Sequence, residues 1–255
     1  MKLTLAAVQM GSKLGKVAGN MAVAESLLQK ITQRPAVAVL PELALTGYAF
    51  ESPKAIAPYL ESRNGPSTQW ACEMAKNYDI NICIGYPETT STGTIYNAAS
   101  LCSSKGNVLM NYRKTHLYET DRQWGCCPSP EGFIAGGPWP DFPIKTQIGI
   151  CMDLNPHEFT APWDAYEFAR SIASNKSQLV LVPTAWLAGD YKSDELDHDL
   201  VDYWRARIPL DVPIVIANRT GNDGSTVYGG SSTILYSDNS YSVAGEGVVE
   251  HTVEI

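Results

Sequence analysis

Apolar and polar positions along the chain predict alternating strands and helices. Lys2 to Val8 alternates polar and apolar and predicts a strand; Met21 to Ile31 has helical spacing, with Asn20 as its N-cap; Ala36 to Leu40 is an uninterrupted apolar run that predicts a buried strand. Ser67 precedes a helical Thr68 to Tyr78, Ile80 to Tyr86 is β-rich, and Tyr96 to Cys102 with Val108 to Tyr112 flank Ser103-Ser104-Lys105-Gly106 as a hairpin. The order then repeats. Thr146 to Ile150 predicts a strand, Pro162 starts a helix running to about Asn175, Leu179 to Val182 is a buried strand, Asp194 to Arg207 a helix and Val212 to Ala217 a strand. Late strands at Ser232 to Tyr236 and Val248 to Ile255 are bounded by Gly and Asn/Asp turns. The pattern is α/β. Neither a linker nor a low-complexity segment divides it, so residues 1–255 are expected to form a single domain.

Composition narrows the ligand more than the fold. With 44% hydrophobic and 18% charged residues, the chain can bury a large core without disulfides or metal. Nineteen basic against 27 acidic residues leave a net charge of -8, and no basic cluster stands apart, which argues against nucleic acid or an anionic membrane as partner. A small or peptidic ligand is expected. No run approaches the roughly 20 apolar residues of a membrane span, and Gln9, Ser12 and Lys13 interrupt the first apolar run before a signal-peptide core could form, so the location expected is cytoplasmic. In that setting the six cysteines read as reduced thiols, most of them inert core residues, and the two Asn-x-Ser/Thr matches carry no meaning.

Other chemistries lack their residues. Gly11 to Lys16 is one residue short of a phosphate-binding loop and has Val17 where a hydroxyl is needed, which leaves a surface turn. His116, His157, His198 and His251 form no His-x-x-x-His pair and there is no Cys-x-x-Cys, so neither a metal nor an organic cofactor is expected. Trp139 and Trp163 read as core residues rather than a ligand platform.

Three reactive residues each follow an apolar strand: Glu42 after Ala36 to Leu40, Lys114 after Val108 to Tyr112, and Cys151 after Ile148-Gly149-Ile150. Open α/β sheets gather ligands at the carboxyl ends of strands. Singly, the three read as a loop acid, a surface charge and a buried thiol. Together they are the minimum kit for acyl transfer: a base, a cation for the developing oxyanion and a nucleophile.

These residues also carry a resemblance. Leu40-Pro41-Glu42-Leu43-Ala44-Leu45-Thr46-Gly47-Tyr48, Tyr112-Arg113-Lys114-Thr115-His116-Leu117 and Gly149-Ile150-Cys151-Met152-Asp153-Leu154 resemble, in order and spacing, the three signature segments of the nitrilase superfamily of carbon-nitrogen hydrolases. Weaker matches at Gly85-Tyr86-Pro87-Glu88, Val182-Pro183-Thr184-Ala185-Trp186 and Ala217-Asn218-Arg219-Thr220-Gly221 extend the likeness along the chain. The resemblance implies a four-layer αββα sandwich, paired into a homodimer across a helical face. It makes Glu42 the base, Cys151 the unique nucleophile, and Lys114 with the Met152 backbone N–H the oxyanion site. Many members have a second glutamate that orients the lysine; Glu119, Glu131 and Gln123 compete for that place and it stays unassigned. His116 would be a hydrogen-bonding neighbour of Lys114.

Within the superfamily, small-acid amidases often place an arginine where Asn155 stands. The run Cys151-Met152-Asp153-Leu154-Asn155-Pro156, with Phe159, Ala161-Pro162, Phe168, Asp202-Tyr203-Trp204-Arg205 and Arg207-Ile208-Pro209-Leu210, is similar to the protein N-terminal asparagine/glutamine amidases. That likeness implies deamidation of a peptide N-terminus, with Met152, Asp153, Asn155 and Trp186 as substrate contacts. Asp153 is either the anchor for the α-ammonium or an organiser of its own loop. A small-molecule amidase or nitrilase acting on short amides is the alternative, and an idle binding scaffold the remote one; an intact Glu42, Lys114 and Cys151 argues against the last.

Overall fold

The computed structural model describes residues 1–189 and 193–255, the side chains of 193–198 excepted; His198 falls within that exception. The first half of the chain supplies β1 (Lys2–Gln9), α1 (Val17–Leu28), β2 (Val37–Val39), α2 (Pro53–Ile56), α3 (Pro66–Tyr78), β3 (Asn81–Thr89), β4 (Ile95–Cys102), β5 (Val108–Arg113) and α4 (Glu119–Gln123). The second half supplies β6 (Ala135–Gly136), β7 (Thr146–Ile148), α5 (Glu167–Asn175), β8 (Leu179–Pro183), α6 (Ser193–Arg207), β9 (Ile214–Ala217), a ribbon of β10 (Thr220–Asp223) and β11 (Thr226–Gly229), then β12 (Thr233–Tyr236), β13 (Asn239–Ser242) and β14 (Gly247–Glu254).

Two six-stranded mixed sheets result, ordered β14-β1-β2-β3-β4-β5 and β13-β12-β9-β8-β7-β6. Each has three central parallel strands, β1-β2-β3 and β7-β8-β9, and antiparallel strands outside them. Successive side chains of a strand point to opposite faces, and both faces are apolar here. Leu3, Leu5, Ala7, Val37 and Val39 of the first sheet meet Ile148, Leu179, Leu181, Val215 and Ala217 of the second in a core between the sheets. Their neighbours Ala6, Val8, Ala38 and Ile82 turn outward onto Ala24, Leu27 and Leu28 of α1 and Ala71 and Met74 of α3. On the far side Val180, Val182, Ile214 and Ile216 pack under Phe168 and Ile172 of α5 and Leu200, Val201 and Trp204 of α6. The layers are therefore α, β, β, α, as the resemblance implies. Among the described residues no helix is long and apolar enough to cross a membrane.

Three expectations are corrected. Asn20 is not an N-cap: it lies inside α1, whose N-cap is Lys16. Its buried amide instead donates to Lys13 and Leu45 carbonyls at 2.8 Å each and accepts from the Lys13 N–H at 2.8 Å, tying two loops together. The helix expected from Pro162 is broken. Trp163–Ala165 is a 3-10 turn and Tyr166 sits at φ 46°, so α5 begins only at Glu167. The cause is tertiary: the Arg207 guanidinium, from α6, takes the Trp163 carbonyl and lies 4.3 Å and 5.0 Å from the Trp163 and Tyr166 ring centroids. Trp163, expected in the core, is 50% exposed for the same reason.

Candidate active site

Glu42 and Lys114 come from the first sheet and Cys151 from the second; all three lie where the ends of the two sheets meet. Past β2, the Leu40 N–H bonds the Cys83 carbonyl at 2.8 Å, keeping the chain on β3 before it turns. The turn is pressed against Gly85, where a Cβ would stand 2.6 Å from the Glu42 Cα. Across the sheets, the Glu42 N–H donates to the Thr184 carbonyl at 3.3 Å. Lys114 leaves β5 with its N–H on the Asn97 carbonyl of β4 at 2.8 Å, and its side chain is fully buried. Past β7, Gly149 lies under the Phe168 ring, and Cys151 turns the chain at φ 41°, a backbone conformation unusual for a side-chain-bearing residue and typical of strained functional turns.

A buried charge network joins these elements. Lys114 Nζ donates to Glu42 Oε1 at 2.7 Å and to Asp121 Oδ2 at 2.7 Å. The Asn97 amide donates to the same Glu42 oxygen at 2.6 Å and to Asp121 Oδ1 at 2.9 Å. Asp121 thus fills the place left unassigned between lysine and cysteine, while Glu119, Gln123 and Glu131 are exposed. The resemblance points to a glutamate at this place, so neither Asp121 nor Asn97 is legible from it. The available signal was a polar Asn97 inside the otherwise buried strand β4, which must be hydrogen-bonded if buried.

Electrostatics follow from that geometry. Burial alone would lower the Lys114 pKa, but Asp121 and Glu42 outweigh it and hold the ammonium charged. Burial raises Glu42 and Asp121 pushes the same way, against Lys114 and Asn97. One Glu42 oxygen is consumed by Lys114 and Asn97; the other, Oε2, is buried without a partner. The Cys151 thiol is raised well above its usual value by burial and then by the Glu42 charge, against Lys114 and an N–H donated by Ala185. It therefore rests as a neutral thiol, and would need a base beside it to act as a nucleophile.

Cys151 opens on a cavity of about 300 Å³ whose wall includes Met152, Asn155 and Trp186. Met152 sits in the first turn of the 3-10 helix Cys151–Leu154, where backbone N–H groups lack intrahelical partners. Asn155 accepts from the Tyr203 hydroxyl, and its own carbonyl contacts His116 Nδ1 at 3.1 Å. Trp186 meets the Tyr203 and Trp204 rings edge-on at 5.5 Å and 5.7 Å. Of the two roles open to Asp153, its contacts are those of a loop organiser: it is absent from the cavity lining, and both its oxygens are engaged by the protein. Its Oδ1 accepts the Thr115 and His116 N–H groups at 3.1 Å and 2.8 Å, and its Oδ2 the Ile150 N–H and the Tyr112 hydroxyl at 2.8 Å each. Among the described residues no group of three potential ligands could hold a metal ion.

The profile of the carbon-nitrogen hydrolase family matches residues 4–243. The chain is 34% identical over 208 residues to the protein N-terminal amidase of Saccharomyces cerevisiae, covering 72% of this chain but only 45% of that one. It is also 34% identical over 260 residues to the protein N-terminal amidase of Schizosaccharomyces pombe, covering 89% of each. A crystal structure of an N-terminal amidase with an Asn-Glu-Ala peptide superposes with a TM-score of 0.83 at 21% identity, covering 100% of this chain and 99% of that one, which supports the same fold. From the family match and the extent of these identities, the chain belongs to the carbon-nitrogen hydrolase family.

Proposed function

We propose that this protein removes ammonia from the side-chain amide of an N-terminal Asn or Gln, leaving Asp or Glu, through a thioester on Cys151. The Cys151 sulfur attacks the carboxamide carbon while its proton passes to Glu42, whose Oε2 is the carboxylate oxygen with no other partner. The oxyanion is held by Lys114 and the Met152 N–H. Collapse of the tetrahedral intermediate breaks the carbon–nitrogen bond, and the Glu42 proton leaves with the amine as ammonia. Water then attacks the thioester, gives its proton to Glu42, and the acid departs as the thiol is restored. Atoms balance as amide plus water to acid plus ammonia.

The observation that carries the substrate class is the cavity wall. No lysine or arginine stands among its described lining residues, and Asn155 occupies the place where a small-acid amidase would present a cation. Among the described lining residues a free dicarboxylic monoamide therefore finds no cation for its carboxylate, whereas a peptide carries its carboxylate far from the site. Both yeast relatives named above are N-terminal amidases, which supports the same reading. The proposal also places the enzyme in the cytoplasm as a pair of identical chains, checked by size in solution and by fractionation.

The test is mass spectrometry on peptides beginning with Asn or Gln, set against free glutamine, short amides and nitriles. A gain of about one mass unit confined to the peptides is expected. Cys151→Ala should abolish it, and Glu42→Gln and Lys114→Ala should each lower kcat by roughly 10² or more. Faster turnover of free amides would replace this reading with a small-molecule amidase.

A further inference from the structure

Among the described residues, four acids around the active site are already engaged. Glu42 and Asp121 are held by Lys114, Asp153 by three N–H groups and a phenol, and Glu158 by Arg122. Asp199 lines the cavity, is exposed, and has no partner among the described residues. It is the one charged side chain among the described residues of that wall.

Its place on α6 matters. Asp199 and Tyr203 are four residues apart, so they stand one above the other on the helix face turned to the cavity. Tyr203 reaches Asn155, four residues past Cys151, and its ring packs edge-on against Trp186. A carboxylate beside two aromatic rings is a receptor for an organic ammonium: the carboxylate supplies the charge, and the ring faces supply cation–π attraction as water is excluded. The same carboxylate repels an acidic small amide.

We propose that Asp199 is the specificity residue that binds the α-ammonium of the substrate peptide, with Tyr203 and Trp186 as the walls of that subsite. This rests on the N-terminal reading above. The carboxamide lies at Cys151, the ammonium turns toward α6, and the peptide continues past Phe159, which lines the cavity and is 60% exposed.

The experiment compares kcat/KM, by ammonia release, for a tetrapeptide beginning with Asn and for its succinamoyl counterpart, which keeps the carboxamide and replaces the ammonium by hydrogen. The wild-type protein is expected to favour the Asn peptide by roughly tenfold or more, the worth of a charge-assisted contact. Asp199→Asn should bring that ratio near one through a higher KM for the Asn peptide, and Asp199→Glu should keep most of the preference. An Asp199→Asn protein with the wild-type ratio, whatever its absolute rate, overturns the proposal and leaves the N-terminal reading standing. A wild-type protein that ignores the ammonium, or does not turn over the Asn peptide, removes the N-terminal reading and the anchor with it; the wild-type arm alone identifies that outcome.

Discussion

The Asp121 carboxylate sets the charge balance of the site, because it places a second anion on a lysine that already pairs the base. In the proposed mechanism Glu42 must be ionised to accept the thiol proton, and its pKa is raised by burial and by Asp121, against Lys114. Activity should therefore fall with decreasing pH through a midpoint above the roughly 4.3 of a free glutamate. Replacing Asp121 by Asn removes the repulsion. The acidic limb should then move to lower pH while kcat drops, by roughly 10- to 100-fold, as Lys114 loses one of its two supports. A kcat–pH profile with an unmoved limb would show that Asp121 acts only as packing. Thiol labelling refines the sequence reading at the same scale. Cys127 is exposed and Cys72 partly so, while Cys83, Cys102 and Cys126 are buried. Iodoacetamide should thus modify more than one cysteine, with inactivation following only the Cys151 adduct and slowed by substrate; loss of activity tracking Cys127 instead would count against Cys151. The gathering of Glu42, Lys114 and Cys151 was legible because each follows a strand in a recognisable segment. Asp121 was not, since it is one methylene shorter than the acid expected and reaches Lys114 from the five-residue helix α4, which has no periodicity to reveal it.

At the level of elements, one glycine sets how closely β3 and the Glu42 turn approach. Gly85 of β3 has the Glu42 turn against it, and a Cβ there would meet the Glu42 Cα at 2.6 Å, the Leu43 N at 2.8 Å and the Pro41 carbonyl at 2.9 Å. All three are backbone atoms that cannot rotate away. Gly85→Ala should therefore shift Glu42 off Lys114, lowering kcat by roughly tenfold or more and stability by about 1–3 kcal/mol. Wild-type kcat and Tm in that variant would mean the turn is free to move. The elements themselves were legible where periodicity is strong: β1, α3, β3, the β4–β5 hairpin, β8 and β9 lie within a few residues of their expected bounds. What escaped depends on contacts distant in sequence. The turn ahead of α5 is decided by Arg207, about forty residues on, and Asn20 is drawn from capping by the loop that follows Glu42. The β10–β11 ribbon carries Gly221 and Gly224 and offers no apolar alternation to read.

At the scale of the whole molecule, the proposed mechanism depends on the register of one sheet against the other, because its base and cation, Glu42 and Lys114, ride on the first and its nucleophile, Cys151, on the second. The apolar core between the sheets is non-directional and cannot by itself fix that register to the accuracy acyl transfer needs. Asp153 supplies direction. It is almost fully buried at the Cys151 turn, yet it accepts hydrogen bonds from Tyr112, Thr115 and His116, which surround Lys114 in sequence. Asp153→Asn keeps the volume but turns an amide NH2, a donor, toward groups that are themselves donors, leaving buried donors unpaired at a cost of about 2–4 kcal/mol. At roughly 2–4 °C per kcal/mol for a chain of this size, Tm should fall by several degrees or more. With the Cys151 turn no longer tied to the segment that carries Lys114, kcat should fall alike for the Asn peptide and its succinamoyl counterpart. That equality separates a clasp from an anchor: a Asp153→Asn protein with unchanged Tm and a higher KM for the Asn peptide alone would return Asp153 to the substrate site. The parallel loss of stability and of kcat on both substrates is the expected result, since the hydrogen bonds of Asp153 that hold the two sheets in register are the same ones that tie the Cys151 turn to the Lys114 segment.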